Sequence, residues 1–211
     1  MPANHSSSLF HYLQGRYGNL AWLVGPSARR KTKLRPWVPF ALDNDAYSAW
    51  SKGREWDGQA WYELLVWAVS YKPLWALVPD KVADRRETLR LWEIYYPLVA
   101  NAGIPAAFAV QDGMTIEDVP KEAAVVFVGG TTDWKWGTLA AWAQSFPRVH
   151  VGRVNEVYRL YECAALGVES VDGTGWFRDG PDGRRIKPMI EWLKGQTPIP
   201  PNPRQTLWLR R

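Results

Sequence analysis

Short apolar runs alternate with longer amphipathic segments along most of the chain. Seven runs end at Gly, Pro or a polar residue, which is typical of buried strands; they cover residues 19–24, 38–42, 74–78, 106–110, 123–128, 149–154 and 170–172. Between them, apolar residues recur at helical spacing, which predicts helices over 57–71, 84–101, 133–146, 155–167 and 186–194. Strands that alternate with helices need crossover connections, so the pattern predicts a parallel sheet.

The predicted fold class is α/β, a small (β/α)8 TIM-like barrel formed as one domain over residues 1–211. Such barrels begin at roughly 200 residues, so the chain lies at the lower end of their size range. The pattern leaves the eighth strand open: residues 206–209 are one candidate, and an open seven-stranded sheet is the alternative. Residues 1–8 are expected to form a loose polar start with no function, and 196–211 an extended proline-rich tail.

Composition limits the chemistry that this chain is expected to perform. A single cysteine, Cys163, excludes an internal disulfide and any thiolate-rich metal site, and its place on the apolar side of a predicted helix indicates an inert thiol. His5, His11 and His150 lack metal-ligand spacing, so we expect no metal and no cofactor. The sequence contains neither a long apolar run nor a signal-peptide pattern, so no membrane partner and a cytoplasmic location are expected.

Basic residues are in modest excess, with a net charge of +5 and a pI near 9.3. Five of them fall within seven positions after the first predicted strand, and Arg178 follows the last; the five are Arg29, Arg30, Lys31, Lys33 and Arg35. Such a run is typical of a solvated loop, and it is equally compatible with a site for backbone phosphates. In the second interpretation, both segments would form one basic rim around the barrel mouth.

Tryptophan is unusually abundant, with 14 residues. Most of them lie on apolar helix faces, where packing is the expected role. Four lie near strand ends, where packing and stacking on a nucleic-acid base both remain open; these are Trp50, Trp134, Trp136 and Trp176.

Several polar residues and one glycine pair lie at the carboxyl ends of the predicted strands; they are Asp43, Asp80, Gln111, Gly129, Gly130 and Asp172. In a parallel barrel the carboxyl ends of the strands surround a common mouth, so we expect these residues to converge there. An aspartate at a strand end also often caps the next helix, and for Asp43 and Asp80 this alternative stays open. Asp172 is followed by Gly-Thr-Gly and no immediate helix, which favours a functional role.

The order of these motifs between residues 40 and 178 resembles the tRNA-guanine transglycosylase family. Residues 43–47 match that family's Asp-Ser-Gly-Gly-Phe type motif, 110–112 its Val-Gln-Gly, 129–130 its Gly-Gly pair and 171–174 its Phe-Asp-Cys-Val. The resemblance implies that Asp172 is the nucleophile and Asp43 the proton-transfer residue. It also implies that the base is recognised by Asp80, Gln111, Gly129 and Gly130.

The chemistry of base exchange explains why two carboxylates are needed. Exchange with retained stereochemistry requires two displacements and a covalent intermediate between the enzyme and the sugar. The zinc-binding Cys/His cluster of the family is missing here, and the arrangement resembles compact DNA 7-deazaguanine transglycosylases of phages and mobile elements. We therefore expect guanine in DNA, with RNA as the other possibility, to be replaced by a 7-deazaguanine base.

Two other functions remain open on the sequence alone. One is a nucleic-acid-binding protein that has kept the fold and lost the chemistry. The other is a barrel enzyme acting on a free nucleoside or a sugar phosphate, with residues 173–175 as a phosphate-binding loop.

Overall fold

The computed structural model describes residues 1–2, 7–29, 34–178 and 180–195. Its strands are β1 Trp22–Val24, β2 Phe40–Leu42, β3 Ala76–Leu77, β4 Ala106–Val110, β5 Val125–Val128, β6 Val149–Val151 and β7 Ser170–Val171. Its α-helices are α1 Ser8–Tyr17, α2 Ala46–Trp50, α3 Gly58–Ala68, α4 Arg85–Asn101, α5 Thr132–Ser145, α6 Val157–Ala165 and α7 Ile186–Gly195. Short 3₁₀ turns cover Pro26–Ala28, Val69–Tyr71 and Ile116–Asp118.

The seven strands form one parallel sheet in which their spatial order is their order in the sequence. Each consecutive pair is parallel, as in the register Trp22↔Phe40 between β1 and β2. The predicted parallel α/β architecture is therefore confirmed as a TIM-like fold, although most strands are shorter than the pattern predicts. Helices α1 and α2 were not predicted from the pattern.

The first two residues of the chain span the gap between β7 and β1. The Met1 amino group donates a hydrogen bond to the Val171 carbonyl oxygen, and Gly173 N donates to Met1 O at 3.1 Å. On the other side, Leu23 N donates to Pro2 O at 3.2 Å. The expectation of a loose start is thus wrong for Met1 and Pro2, which continue the ladder between the first and last strands, and for Ser8, which begins α1. The strand candidate at 206–209 and the tail at 196–211 lie outside the described residues.

Side chains inside the curled sheet form a core separate from the one beneath the helices. The inner cluster consists of Leu23, Ala41, Trp75, Leu77, Ala107, Ala109 and Val125. The alanines leave room for Trp75 of the segment leading into β3, whose ring centroid lies 4.9 Å from that of His150 on β6. It also lies 6.2 Å from the centroid of Phe127 on β5. Side chains from distant strands therefore meet across the interior, as in a barrel.

Helix faces follow the predicted spacing on α3 and depart from it on α6. On α3, Trp61, Leu64 and Leu65 are buried as expected, and Asp57 caps the helix by accepting from Ala60 N at 2.9 Å. On α6, the spacing predicts an apolar face that includes Tyr161, Ala164 and Ala165, but all three are exposed. Cys163 is buried as expected, and burial raises the pKa of its thiol to about 12, in agreement with an inert role.

Candidate active site

A cavity of about 500 Å³ lies at the carboxyl ends of the strands. Its walls include every strand-end residue singled out in the sequence, namely Asp43, Asp80, Gln111, Gly129, Gly130 and Asp172. They are supplied by the segments that follow β2, β3, β4, β5 and β7. Residues up to 129 positions apart in the sequence therefore share one site, because parallel strands end on the same side of the fold.

Asp43 directly follows β2 and is the most strongly perturbed carboxyl group of the cavity. Burial raises the pKa of Asp43 well above its ordinary value, and the neighbouring carboxylates of Asp45, Asp172 and Asp80 raise it further. Its Oδ1 accepts a hydrogen bond from Asn44 N at 2.8 Å, which acts in the opposite direction. Because this donor is the amide of the next residue, the contact does not cap a helix. The raised pKa favours the protonated form of Asp43.

Asp172 directly follows β7 and is 6% exposed. Its Oδ1 accepts a hydrogen bond from Arg153 N at 3.2 Å and lies 3.2 Å from His150 Nε2. Burial lowers the pKa of His150, although Asp172 raises it in part, so the imidazole is neutral. Among the described residues, the hydrogen bonds to the Asp172 carboxylate all reach Oδ1, and none reaches Oδ2.

Asp80 is held by two amide side chains, one on each oxygen. Asn44 Nδ2 donates to Oδ1 and Gln111 Nε2 donates to Oδ2, both at 2.6 Å. Burial raises the pKa of Asp80 to about 6, with these two amide donors acting against the shift. The Gln111 Oε1 atom accepts from Ala83 N and Gly130 N, each at 2.9 Å. The carboxylate is therefore fixed in place by a hydrogen-bond network that spans four strand ends, those of β2 to β5.

Gly129 and Gly130 allow the backbone to approach this network closely. A Cβ atom on Gly129 would lie 2.8 Å from Gln111 Nε2, and Gly130 has a φ of +70°, which disfavours any side chain. Both amides donate within the protein, Gly129 N to Val110 O at 3.1 Å and Gly130 N to the Gln111 side chain. Any contact between these N–H groups and a base would have to replace one of those hydrogen bonds.

Two further carboxylates close to the cavity bind loop amides. Asp45 Oδ2 accepts from Ser27 N at 2.8 Å and so connects the loops after β1 and β2. Asp112 Oδ1 accepts from Thr131 N at 2.7 Å and connects the loops after β4 and β5. Their side chains therefore organise the rim of the cavity.

Two cations of the site were missed in the sequence. Lys135, on the first turn of α5, is 2% exposed, and its Nζ donates to Gly152 O at 2.5 Å. Burial lowers the pKa of Lys135 to about 8, and the charge of Arg153 acts in the same direction. Arg153 adopts a φ of 59°, places its guanidinium 4.1 Å from the centroid of the Tyr47 ring and donates to Gly130 O. The pattern predicts Arg153 inside a strand over 149–154, but β6 ends at residue 151. Arg153 was therefore not recognised as a residue at a strand end.

The described part of the basic run does not form the predicted rim. Arg29 points to α3, where its Nη2 lies 2.7 Å from Glu63 Oε2. Arg35 is exposed and does not line the cavity, whereas Arg178 does and donates to Thr174 Oγ1 at 3.2 Å. The remaining members lie outside the described residues; they are Arg30, Lys31 and Lys33.

The tryptophans near the strand ends differ in accessibility. Trp136 lines the cavity, and Arg159 lies 4.1 Å from its ring centroid. Trp176 is buried and donates through Nε1 to Val154 O at 2.7 Å, so its ring belongs to the core. Trp50 is half exposed beside Tyr47, with 5.6 Å between ring centroids.

The glycine-rich segment after β7 is committed to internal contacts. Gly175 N donates to Asn155 Oδ1 at 2.8 Å, and Gly173 N donates to Met1 O. A Cβ atom on Gly173 would lie 2.2 Å from Val154 O, so this glycine is needed for packing. The two glycine amides that a phosphate-binding loop would use therefore already have acceptors.

Neither a membrane-spanning helix nor a metal-binding cluster occurs in the part of the chain that the structure describes. No helix there is long and apolar enough to cross a membrane. No group of three or more His, Cys, Asp or Glu side chains there is arranged to hold a metal ion.

Among known proteins, the chain is similar only in fold to the solved structures described below, and at low sequence identity. No family model and no curated protein matches the sequence. Among solved structures, the chain is similar to a crystal structure of the tryptophan synthase complex from Pyrococcus furiosus, with 15% identity, a TM-score of 0.49 and coverage of 88% of this chain and 87% of that one. A structure of the tryptophan synthase a2b2 complex from the same organism gives 16% identity and a TM-score of 0.48 at the same coverage. Similarity this remote carries no argument about chemistry, which is inferred here from the side chains of the site.

Proposed function

We propose that the protein is a base-exchange transglycosylase that replaces guanine in nucleic acid, DNA in preference to tRNA, with a 7-deazaguanine. The observation that carries this proposal is the contrast between two carboxyl groups in one cavity. Burial and neighbouring carboxylates raise the pKa of Asp43, which favours a protonated acid. Within the described part of the chain, the N–H hydrogen bonds to Asp172 reach Oδ1 and leave Oδ2 open, which suits an oriented carboxylate.

In the first displacement, Asp172 Oδ2 attacks C1′ of the target nucleotide. The bond between C1′ and the guanine nitrogen breaks, its electron pair leaves with the base, and Asp43 protonates that base. In the second displacement, the ring nitrogen of the incoming base attacks C1′ and gives its proton to Asp43. The ester bond to Asp172 breaks at the same time, so both carboxyl groups return to their initial states and stereochemistry is retained.

The Asp80 network suits recognition of the purine. Asn44 and Gln111 each occupy one oxygen of Asp80 and leave further lone pairs as acceptors. The ring N–H and the amino group of guanine, which a 7-deazaguanine shares, are donors of matching chemistry. With a pKa raised to about 6, Asp80 is ionised at neutral pH, as an acceptor requires.

The cations of the cavity, Lys135, Arg153 and Arg178, lie in the segments that follow β5, β6 and β7. The carboxylates Asp43 and Asp80 follow β2 and β3 on the other side of the cavity. This polarity suits a nucleotide whose base enters the acidic side and whose phosphates stay near Lys135, Arg153 and Arg178. In a duplex, the target nucleotide would have to leave the base stack to reach the cavity. The preference for DNA rests on the missing Cys/His zinc ligands, since the chain has one cysteine.

Incorporation of labelled guanine into tRNA, duplex DNA and single-stranded DNA tests the proposal. We expect incorporation into at least one DNA form and a covalent protein–DNA adduct on denaturing gels. Asp172→Asn should abolish both, whereas the matched control Asp112→Asn, which alters a carboxylate bound to Thr131 N, should retain the adduct.

The same experiment separates the two other functions. Binding without incorporation or adduct would identify a non-catalytic nucleic-acid-binding protein. Turnover of a free nucleoside without incorporation into any polymer would identify an enzyme for small substrates. Either result would overturn the proposed base exchange.

A further inference from the structure

His150 is a buried polar residue that the proposed displacement does not use. It lies on β6 with 0% exposure, inside the sheet below the cavity. Its ring stacks on Phe127 with 4.8 Å between centroids and meets Trp75 edge-on at 4.9 Å. A polar ring in such apolar surroundings requires hydrogen-bond partners, and it has one on each nitrogen. Nδ1 lies 2.8 Å from Ser170 Oγ, and Nε2 lies 3.2 Å from Asp172 Oδ1.

The strand register explains why these three residues meet. Ser170 and Asp172 are two positions apart, so their side chains project from the same face of β7 and its extension. His150 is paired with Ser170 in the parallel ladder between β6 and β7. The imidazole therefore lies between the hydroxyl and the carboxylate.

The chemistry of the partners selects one tautomer of His150. Asp172 is an acceptor when ionised, so Nε2 must carry the proton that fills the contact with Oδ1. Nδ1 is then an acceptor, and the Ser170 hydroxyl, which can rotate, donates to it. The opposite tautomer would place the lone pair of Nε2 against the carboxylate oxygen.

We propose that Ser170 and His150 form a hydrogen-bond relay that holds Asp172 through Oδ1 and reserves Oδ2 for the ligand. Both are positioning residues, since neither lines the cavity. Their effect on catalysis rests on the proposed base exchange, whereas the relay itself does not.

The relay has a consequence for the two displacements. When the ester bond between C1′ and Asp172 Oδ2 breaks, its electron pair returns to the carboxylate, and negative charge grows on Oδ1 as well. The His150 N–H and the Arg153 N–H stabilise that charge. Loss of the His150 donor therefore makes the carboxylate a poorer leaving group, and breakdown of the covalent adduct slows more than its formation.

The tautomer can be measured in the free protein by long-range ¹H–¹⁵N correlation NMR. The chain has three histidines, and the signals lost in His150→Gln are assigned to that residue. We expect protonated Nε2 and unprotonated Nδ1 in the wild type, and loss of this single tautomer in Ser170→Ala. Protonated Nδ1, or rapid averaging of both nitrogens in the wild type, would overturn the relay whether or not the protein exchanges bases.

The catalytic consequence is tested by the same variants, with Ser48→Ala as the control. Ser48 lines the cavity without a hydrogen bond to Asp172 in the described contacts. We expect His150→Gln to slow exchange roughly 10- to 100-fold, the range for a lost hydrogen bond to a charged group, with KM for the base nearly unchanged. The fraction of trapped adduct should rise in His150→Gln and, to a smaller degree, in Ser170→Ala.

Exchange within twofold of the wild type in both variants, with an unchanged adduct fraction, would refute the catalytic consequence. Ser170→Ala removes one hydroxyl only, so it remains informative if His150→Gln unfolds. A wild type that exchanges no base on any nucleic acid would refute the proposed function, and the NMR result would still decide the relay.

Discussion

Substitution of Asp80 by Asn should change how protein stability depends on pH. The pKa of Asp80 is raised from 3.8 to about 6 in the folded protein, mainly by burial. The folded state therefore binds the proton more tightly than the unfolded chain, so the stability from this group is complete below 3.8 and is lost as pH rises towards 6. At roughly 1.4 kcal/mol per pKa unit, the wild type loses about 2 kcal/mol from this group between pH 4 and pH 7.

Asp80→Asn lacks this loss because the amide does not titrate. One of the two amide donors, Asn44 Nδ2 or Gln111 Nε2, loses its acceptor in the variant at every pH, which contributes a constant offset. The free energy of unfolding, measured by urea titration of both proteins at pH 4 and pH 7, should therefore shift in favour of the variant by about 2 kcal/mol. Thr132→Val, a change at the same cavity that removes no titratable group, serves as the control and should show no such shift. A shift below about 1 kcal/mol would refute the burial argument for Asp80.

Three further predictions concern the site. Asp172→Asn should abolish exchange while its thermal unfolding stays close to that of the wild type, and exchange within tenfold of wild type would remove Asp172 from the nucleophile role. Gly129→Ala should raise KM for the base by roughly tenfold, the effect of one weakened hydrogen bond to a charged group. The added Cβ would lie 2.8 Å from Gln111 Nε2 and would therefore push this amide away from Asp80. An unchanged KM would show that Gln111 does not orient Asp80 for binding. Arg178→Ala should flatten the salt dependence of DNA binding by up to about 0.9 in log–log slope, whereas Arg29→Ala should leave the slope unchanged because Arg29 is paired with Glu63. Equal slopes for the wild type and Arg178→Ala would show that Arg178 contacts no phosphate.

The strand-end residues show what local sequence patterns could reveal. Asp43, Asp80 and Asp172 each follow an apolar run, and the alternation of such runs with helical segments fixes which end of each strand faces the common mouth. Their convergence could be predicted because chain direction and parallel topology suffice for it. What each side chain binds there could not, since Asn44 and Gln111 reach Asp80 from loops 36 and 31 positions away.

The sequence by itself determined the order of strands and helices, because hydrophobic periodicity is a local property that burial converts into secondary structure. Only the tertiary structure decided how the last strand meets the first, because that depends on unpaired backbone groups at the edges of β1 and β7. Met1 fills this gap by bonding to Val171, 170 positions away. The same reason applies to Lys135, Arg153 and His150, whose hydrogen-bond partners come from the ends of other strands and not from the residues beside them in the chain.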